Sequence, residues 1–277
     1  MKVRILFGAA MMVAIGSVGG TSVASARLSS AKPMAYTCSG GDFASHNLTS
    51  IPSGNYASIT VTGACAVAPD AVINVVGDVN VAAGAVLDAQ SAPSTITVGH
   101  NVTAASGSLL GLGCLPNPVG HTTGHPCMVE PNGSSSITVD GSVFTWNADT
   151  VLLNGITVDK SVELTGGGGQ IPWAIKDNTI GANLIVRHMT PNWIGVIRNK
   201  IGGKALLINI QITDGLPPNN DPNPTIFIAS NQVGQDLICK RLGPAVSGGF
   251  GGEVNVVGHK AIGQCANLTT VPPPTSS

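Results

Sequence analysis

The chain has 277 residues, a net charge of −1 and only 10% charged residues; 43% of it is hydrophobic, yet 4% is aromatic. That balance excludes the basic face that nucleic acid needs and electrostatic docking on an anionic membrane. It leaves a core to be built from Val, Ile, Leu and Ala, and 36 Gly with 18 Pro leave little room for helix.

The first expected element is a secretory signal over residues 1–26. Lys2 and Arg4 supply a positive start, Ile5 to Gly20 an apolar run, and Ala24-Ser25-Ala26 a small-x-small cleavage site. The run is too short and too rich in Gly and Ala for a membrane anchor. The mature chain is therefore expected to begin near Arg27 and to be exported and soluble. Residues 27–56, with Cys38, read as an N-terminal cap over an open strand edge.

From 57 to 268 one pattern recurs nine times: apolar-x-apolar, a short corner, apolar-x-apolar. Its second apolar position falls on Val61, Val75, Val98, Val139, Val158, Ile180, Ile201, Val233 and Val257. Four residues on stand Cys65, Val79, Val102, Val143, Val162, Leu184, Ala205, Leu237 and Ala261. Self-similarity of this kind means one supersecondary unit stacked on its copies. Alternation turns residues such as Ile73, Val75, Val79 and Val81 inward. Gly at most corners suggests bends that need a positive φ. Successive anchors lie 14, 23, 41, 19, 22, 21, 32 and 24 residues apart. A modal step of 20 to 24 is too long for a left-handed coil of hexapeptides and suits a right-handed parallel β-helix. The expected fold is thus all-β: a single-domain right-handed parallel β-helix of about nine coils.

Two positions before the anchors, the first five repeats carry Ile59, Ile73, Ile96, Ile137 and Ile156, and the last four carry Asn178, Asn199, Asn231 and Asn255. The expectation is an isoleucine stack that gives way to an asparagine ladder. Six Cys in an exported chain imply three disulfides. Position along the coils suggests Cys38–Cys65, Cys114–Cys127 and Cys239–Cys265. Residues 269–277, Pro-rich and without an apolar anchor, read as a disordered tail.

The candidate chemistry is sparse. Within the insertion Gly111–Ser135, Cys114, His121, His125 and Cys127 form a zinc-like set, but an oxidising compartment favours a disulfide over thiolates. Asp214, Asn219, Asn220, Asp221 and Asn223 make an oxygen-rich loop whose spacing matches no calcium loop. Asp140 and Asp159 share a column and could pair as in glycoside hydrolysis, although Asp is also an ordinary turn former. Asn183, Lys204, Asp236 and Lys260 read as a structural ladder. Trp173, Arg187, Trp193, Arg198 and Lys200 compose the best binding patch, suited to acidic sugar or protein. No motif calls for a cofactor.

Ile-Thr-Val-Gly-His-Asn-Val-Thr (96–103) and Asn-Thr-Ile-Gly-Ala-Asn-Leu-Ile-Val (178–186) resemble the pectate-lyase-like right-handed β-helix superfamily. Ile51-Pro-Ser-Gly-Asn-Tyr, Gly-Ala-Val-Leu-Asp-Ala (84–89), Trp193-Ile-Gly-Val-Ile-Arg-Asn and Asn231-Gln-Val-Gly-Gln-Asp-Leu-Ile-Cys look more narrowly like small exported actinobacterial β-helix proteins. The resemblance implies the fold and, through the superfamily, polysaccharide chemistry. The polygalacturonase-type motifs Asn-Thr-Asp, Asp-Asp, Gly-His-Gly and Arg-Ile-Lys are missing: Gly99-His100 is followed by Asn101, and Gly258-His259 by Lys260. The expected function is a secreted non-catalytic β-solenoid that serves as a surface, matrix or binding protein of unknown ligand, with a polysaccharide or a cell-envelope protein as the expected partner. The alternative is a divergent polysaccharide lyase or glycoside hydrolase with its site on a lateral face.

Overall fold

The structure is a computed structural model and describes residues 32–117, 124–213, 224–248 and 254–269. The signal segment, His121, the oxygen-rich loop at 214–223 and the tail from 270 lie outside the described residues.

The described residues wind as a right-handed parallel β-solenoid of about nine coils, with no helix among them. Most coils have three short strands. In one coil these are Ala71–Val75, Val79–Val81 and Val86–Ala89. The first and second strands of all coils form one 18-stranded sheet that bends at the corner between them; the third strands form a 9-stranded sheet. We call these the first, second and third faces. Every strand pairs in parallel with its counterpart one coil away, as in Ile73↔Ile96 and Val79↔Val102. Period-two alternation then stacks the aliphatic columns inside: Val75, Val98, Val139 and Val158 are all buried.

The sequence register holds for eight anchors and fails for Val61. Its strand, Gly54–Val61, spans two faces without a glycine corner. Tyr56 is the true partner of Val75, and Val61 pairs with Val81. Cys65, placed in the column of Val79, stands instead on the third face opposite Leu87. Ile59 accordingly leaves the isoleucine column, which runs Ile73, Ile96, Ile137, Ile156.

The corner glycines also have a different cause from the one expected. Gly99, Gly181, Gly202, Gly234 and Gly258 are not in the positive-φ region. They are needed because a Cβ there would strike the backbone carbonyl of the corner one coil earlier. Close stacking of coils, rather than bend conformation, selects glycine.

Within the span expected as a cap, Met34–Cys38 is a strand that pairs in parallel with Gly54–Val61. That region is therefore already coil. The six cysteines form Cys38–Cys65, Cys114–Cys127 and Cys239–Cys265.

The asparagine ladder is complete. Each Nδ2 donates twice, once to a main-chain carbonyl of the preceding coil and, in Asn178, Asn199 and Asn231, once to the Asn Oδ1 of the following coil. Asn199 Nδ2, for instance, reaches Ile175 O at 2.8 Å and Asn231 Oδ1 at 2.9 Å. Oδ1 of Asn199 accepts both the backbone N–H and Nδ2 of Asn178, at 3.1 and 2.9 Å. Asn255 closes the series on Leu268 O. All four amides are buried and fully paired, which is what makes a buried polar column tolerable.

Candidate functional site

A coil takes some 21 residues here, so residues close in sequence point in different directions while residues one coil apart sit side by side. This scatters the expected patch. Trp173 fills the core behind the third face, its Nε1 donating to Asp149 O at 2.9 Å. Trp193 lies buried outside that face, against Phe227 with ring centroids 5.7 Å apart. Arg198 sits at the corner leaving the third face and grips Asp177 through two bonds of 2.6 and 2.8 Å. Lys200 is exposed on the first face. Arg187 alone stands on the second face. The structure does not bring the five together.

Arg187 does border a cleft. On the second face a hollow of about 370 Å³ spans four coils, lined among others by Thr103, Phe144, Trp146, Glu163, Thr165 and Arg187. The strand Val143–Trp146 explains its chemistry. Val143 and Thr145 point inward, so Phe144 and Trp146 must point out. Trp146 is 62% and Phe144 38% exposed. Thr165 and Arg187 follow Trp146 in register on the next two coils, and Arg187 Nε donates to Thr165 Oγ1 at 3.0 Å. That bond fixes the guanidinium at the cleft wall. Glu163 follows Phe144 in the neighbouring outward column.

The outward columns continue past the cleft as an apolar stripe. Glu163 is succeeded by Ile185, Leu206, Ile238 and Ile262, and Arg187 by Ile208 and Lys240. On the same face of the earlier coils the outward residues are Thr60, Asn80 and Thr103, linked by a 2.7 Å bond from Thr103 Oγ1 to Asn80 Oδ1.

The other sequence candidates resolve as follows. Cys114 and Cys127 are bonded to each other, so they offer no thiolate to a metal. Asp140 and Asp159 are register neighbours, both exposed at the corner between the first and second faces, and neither lines the cleft. Lys204 pairs with Asp236 at 3.1 Å, and that hydrogen bond holds the Asp236 carboxyl below its ordinary range. Asn183 Oδ1 accepts from Lys204 N, which makes this column a structural ladder. A larger hollow of about 630 Å³ lies where the second and third faces meet, beside the loop at Asp42. Asp42 spends its carboxylate within that loop, accepting from Ser45 Oγ and Ala44 N.

Sequence reasoning passed over Phe144, Trp146, Glu163 and Thr165. The signal was available: the anchor Val143 fixes inside and outside for its strand, and two aromatic residues on the outside of a half-polar strand have no core to fill.

The arrangement can stack a flat apolar face on Trp146 and Phe144. It can also hydrogen-bond hydroxyl or carboxylate groups through Arg187, Glu163 and the threonines. It presents one carboxylate, whereas hydrolysis at a glycosidic bond uses two. Comparison with protein-family models, curated proteins and solved structures returns no match.

Proposed function

We propose that this chain is an exported, non-catalytic β-solenoid that binds a polysaccharide on its second face. Trp146 and Phe144 serve as the stacking platform, and Arg187 and Glu163 hold polar groups of the sugar. The observation that carries the reading is the exposure of Trp146 beside Phe144 in a chain with three Trp, two Tyr and five Phe in all. Large exposed apolar surface in a cleft marks a binding surface. The apolar stripe beyond the cleft supports an elongated ligand lying along the coils. Three disulfides are consistent with an oxidising, extracellular setting and with the signal read at residues 1–26. Membership of the pectate-lyase-like superfamily, and the likeness to small actinobacterial β-helix proteins, belong to this proposal, supported by the coil architecture and the quoted motifs.

Trp146 makes the test direct, because Trp173 and Trp193 are 0% and 5% exposed. Titration with neutral and acidic polysaccharides should shift the exposed part of the tryptophan emission. Trp146→Ala should abolish that shift and lower affinity at least about tenfold, while leaving the unfolding midpoint unchanged within roughly 0.5 kcal/mol, as for other surface changes. A panel that neither shifts emission nor retards the protein in affinity gels would overturn the reading.

The register pair Asp140 and Asp159 favours the second reading, a divergent carbohydrate-active enzyme. Release of reducing ends or unsaturated products from the same panel, with or without calcium, and its loss in Asp140→Asn, would put that reading first.

A further inference from the structure

A second set of side chains, on the outside of the third face, is independent of the polysaccharide cleft. Asn154 ends the strand Thr150–Asn154 and Lys176 ends the strand Trp173–Lys176; the two are register partners on adjacent parallel strands. Their neighbours Leu153 and Ile175 fill the core, so alternation turns Asn154 and Lys176 outward, side by side, with backbones about 4.8 Å apart. Outward does not mean wet here. The insertion folds over this face: Cys114 is bonded to Cys127, Leu115 N donates to His125 O at 2.9 Å, and the Leu115 side chain lies against Gly155. Asn154 is left 1% exposed.

Two anomalies meet at this spot. The Asn154 amide has no hydrogen-bond partner on either Oδ1 or Nδ2, a rare state for a buried primary amide. Lys176 is partly buried and has no carboxylate partner among the described residues. The adjacent Asp177 gives both oxygens to Arg198, and Lys176 Nζ rests 5.8 Å from the centre of the Trp193 ring. Burial, then the nearby Arg198 charge, lowers the basicity of Lys176 and favours a neutral amine. His125, lowered by burial, feels the charges of both Lys176 and Asp88.

We propose that Lys176 and Asn154 join in an intramolecular isopeptide bond that staples two adjacent coils. In its deprotonated form Nζ attacks Asn154 Cγ. A bond forms between Nζ and Cγ, the bond from Cγ to Nδ2 breaks, and Nδ2 leaves as ammonia. His125 takes the proton that Nζ gives up and returns it to the departing nitrogen. Nothing is oxidised or reduced. The four rotatable bonds of lysine let Nζ swing from the Trp193 face to the neighbouring strand. The dry surroundings suppress competing hydrolysis of the amide. One covalent bond removes both anomalies, because the unpartnered primary amide and the uncompensated amine cease to exist together. It also ties coils in the middle of the chain, where the three disulfides provide no tie between coils.

The test is the intact mass of the purified chain, reduced and denatured, with its N terminus determined on the same sample. The expected mass is short by one ammonia. Tryptic digestion should yield a branched peptide joining the segments that hold Asn154 and Lys176, with no cleavage after Lys176. Lys176→Arg and Asn154→Leu should restore the mass given by the sequence, and Asn154→Asp should lose water in place of ammonia. A wild-type mass equal to the sequence mass overturns the proposal even if every variant fails to fold. Ammonia loss that persists in Lys176→Arg overturns it as well. His125→Gln should slow conversion at least about tenfold, as for loss of general acid–base help; conversion at an unchanged rate removes His125 from the step.

Discussion

The early and late coils share one winding but close their corners by different means. Between the third face and the next first face, the early coils use wide turns. After Val86–Ala89 the chain takes four residues to reach Ser94–Val98, and Asp88 stabilises that turn by accepting from Gln90 N, Ser91 N and Ser91 Oγ. The turn satisfies its own polar groups, so the column beyond it can be isoleucine. From Asn154 onward a single left-handed residue makes the corner, first Gly155 and then Asp177, Arg198 and Ser230. So tight a corner leaves main-chain groups facing the interior, and the residue after each of the last three corners is a ladder Asn. The polar column is thus the consequence of a short turn. Inside the early coils there is a small void of about 20 Å³ lined only by aliphatic side chains. A column of branched side chains fills its space less completely than a hydrogen-bonded amide column fixes its own.

If this contrast is right, the largest effect comes from breaking the ladder in its middle. Asn199→Ala removes the partners of Ile175 O, Asn178 N and one Nδ2 hydrogen of Asn178. At about 1–3 kcal/mol per buried group left unpaired, the loss should reach about 3 kcal/mol or more. Urea unfolding followed by circular dichroism should show it. Coils contact only their neighbours, so the late half should unfold first, and a single unchanged transition would contradict the account.

The contrast is sharpened by placing asparagine where isoleucine stands. Ile96→Asn buries an amide in an aliphatic column without partners and should cost about 2–4 kcal/mol. Ile156→Asn enters at the head of the ladder. There Asn178 Oδ1 accepts only Ile156 N, at 3.0 Å, and has a lone pair to spare. The second substitution should cost about 1–2 kcal/mol less than the first. Equal costs would mean that the ladder contributes no more than its turn residues do.

Much of this architecture was legible because a solenoid writes its packing as a one-dimensional period. Eight anchors, the asparagine column and the cysteine pairs could be placed from spacing alone. The ninth anchor, Val61, imitated the pattern because the strand Gly54–Val61 runs on into another apolar strand. The unusual 14-residue step was the trace of that error, since the true partner Tyr56 lies 19 residues before Val75. The candidate site was less legible. Period two says which side of a strand a residue takes, but it cannot say whether anything covers the outer side. Trp146 and Asn154 both point outward, yet one is exposed and the other buried, and the difference is made by an insertion folded back from its exit at Cys114. Patch reasoning from Trp173 to Lys200 failed for a related reason, because neighbours along the chain become opposites around the coil.

The junction between the two halves offers a smaller effect, read through pH. His125 belongs to the insertion that covers the last wide turn and the first tight one. Burial is the main cause that pushes its imidazole below the ordinary 6.5. The folded chain therefore binds fewer protons than the unfolded chain between that lowered value and 6.5. Stability must then rise with pH across this window, be fully present above 6.5, and fall on acidification. The slope contributed by one histidine cannot exceed about 1.4 kcal/mol per pH unit. Unfolding midpoints measured from pH 7.5 to 4.5 should show the decline, and His125→Gln should flatten it. Carboxylates along the coils also titrate at the acid end, so the deciding quantity is the difference between the two proteins near pH 6. If that difference is nil, the insertion does not hold His125 dry, and the burial of its neighbours Asn154 and Lys176 comes into question with it.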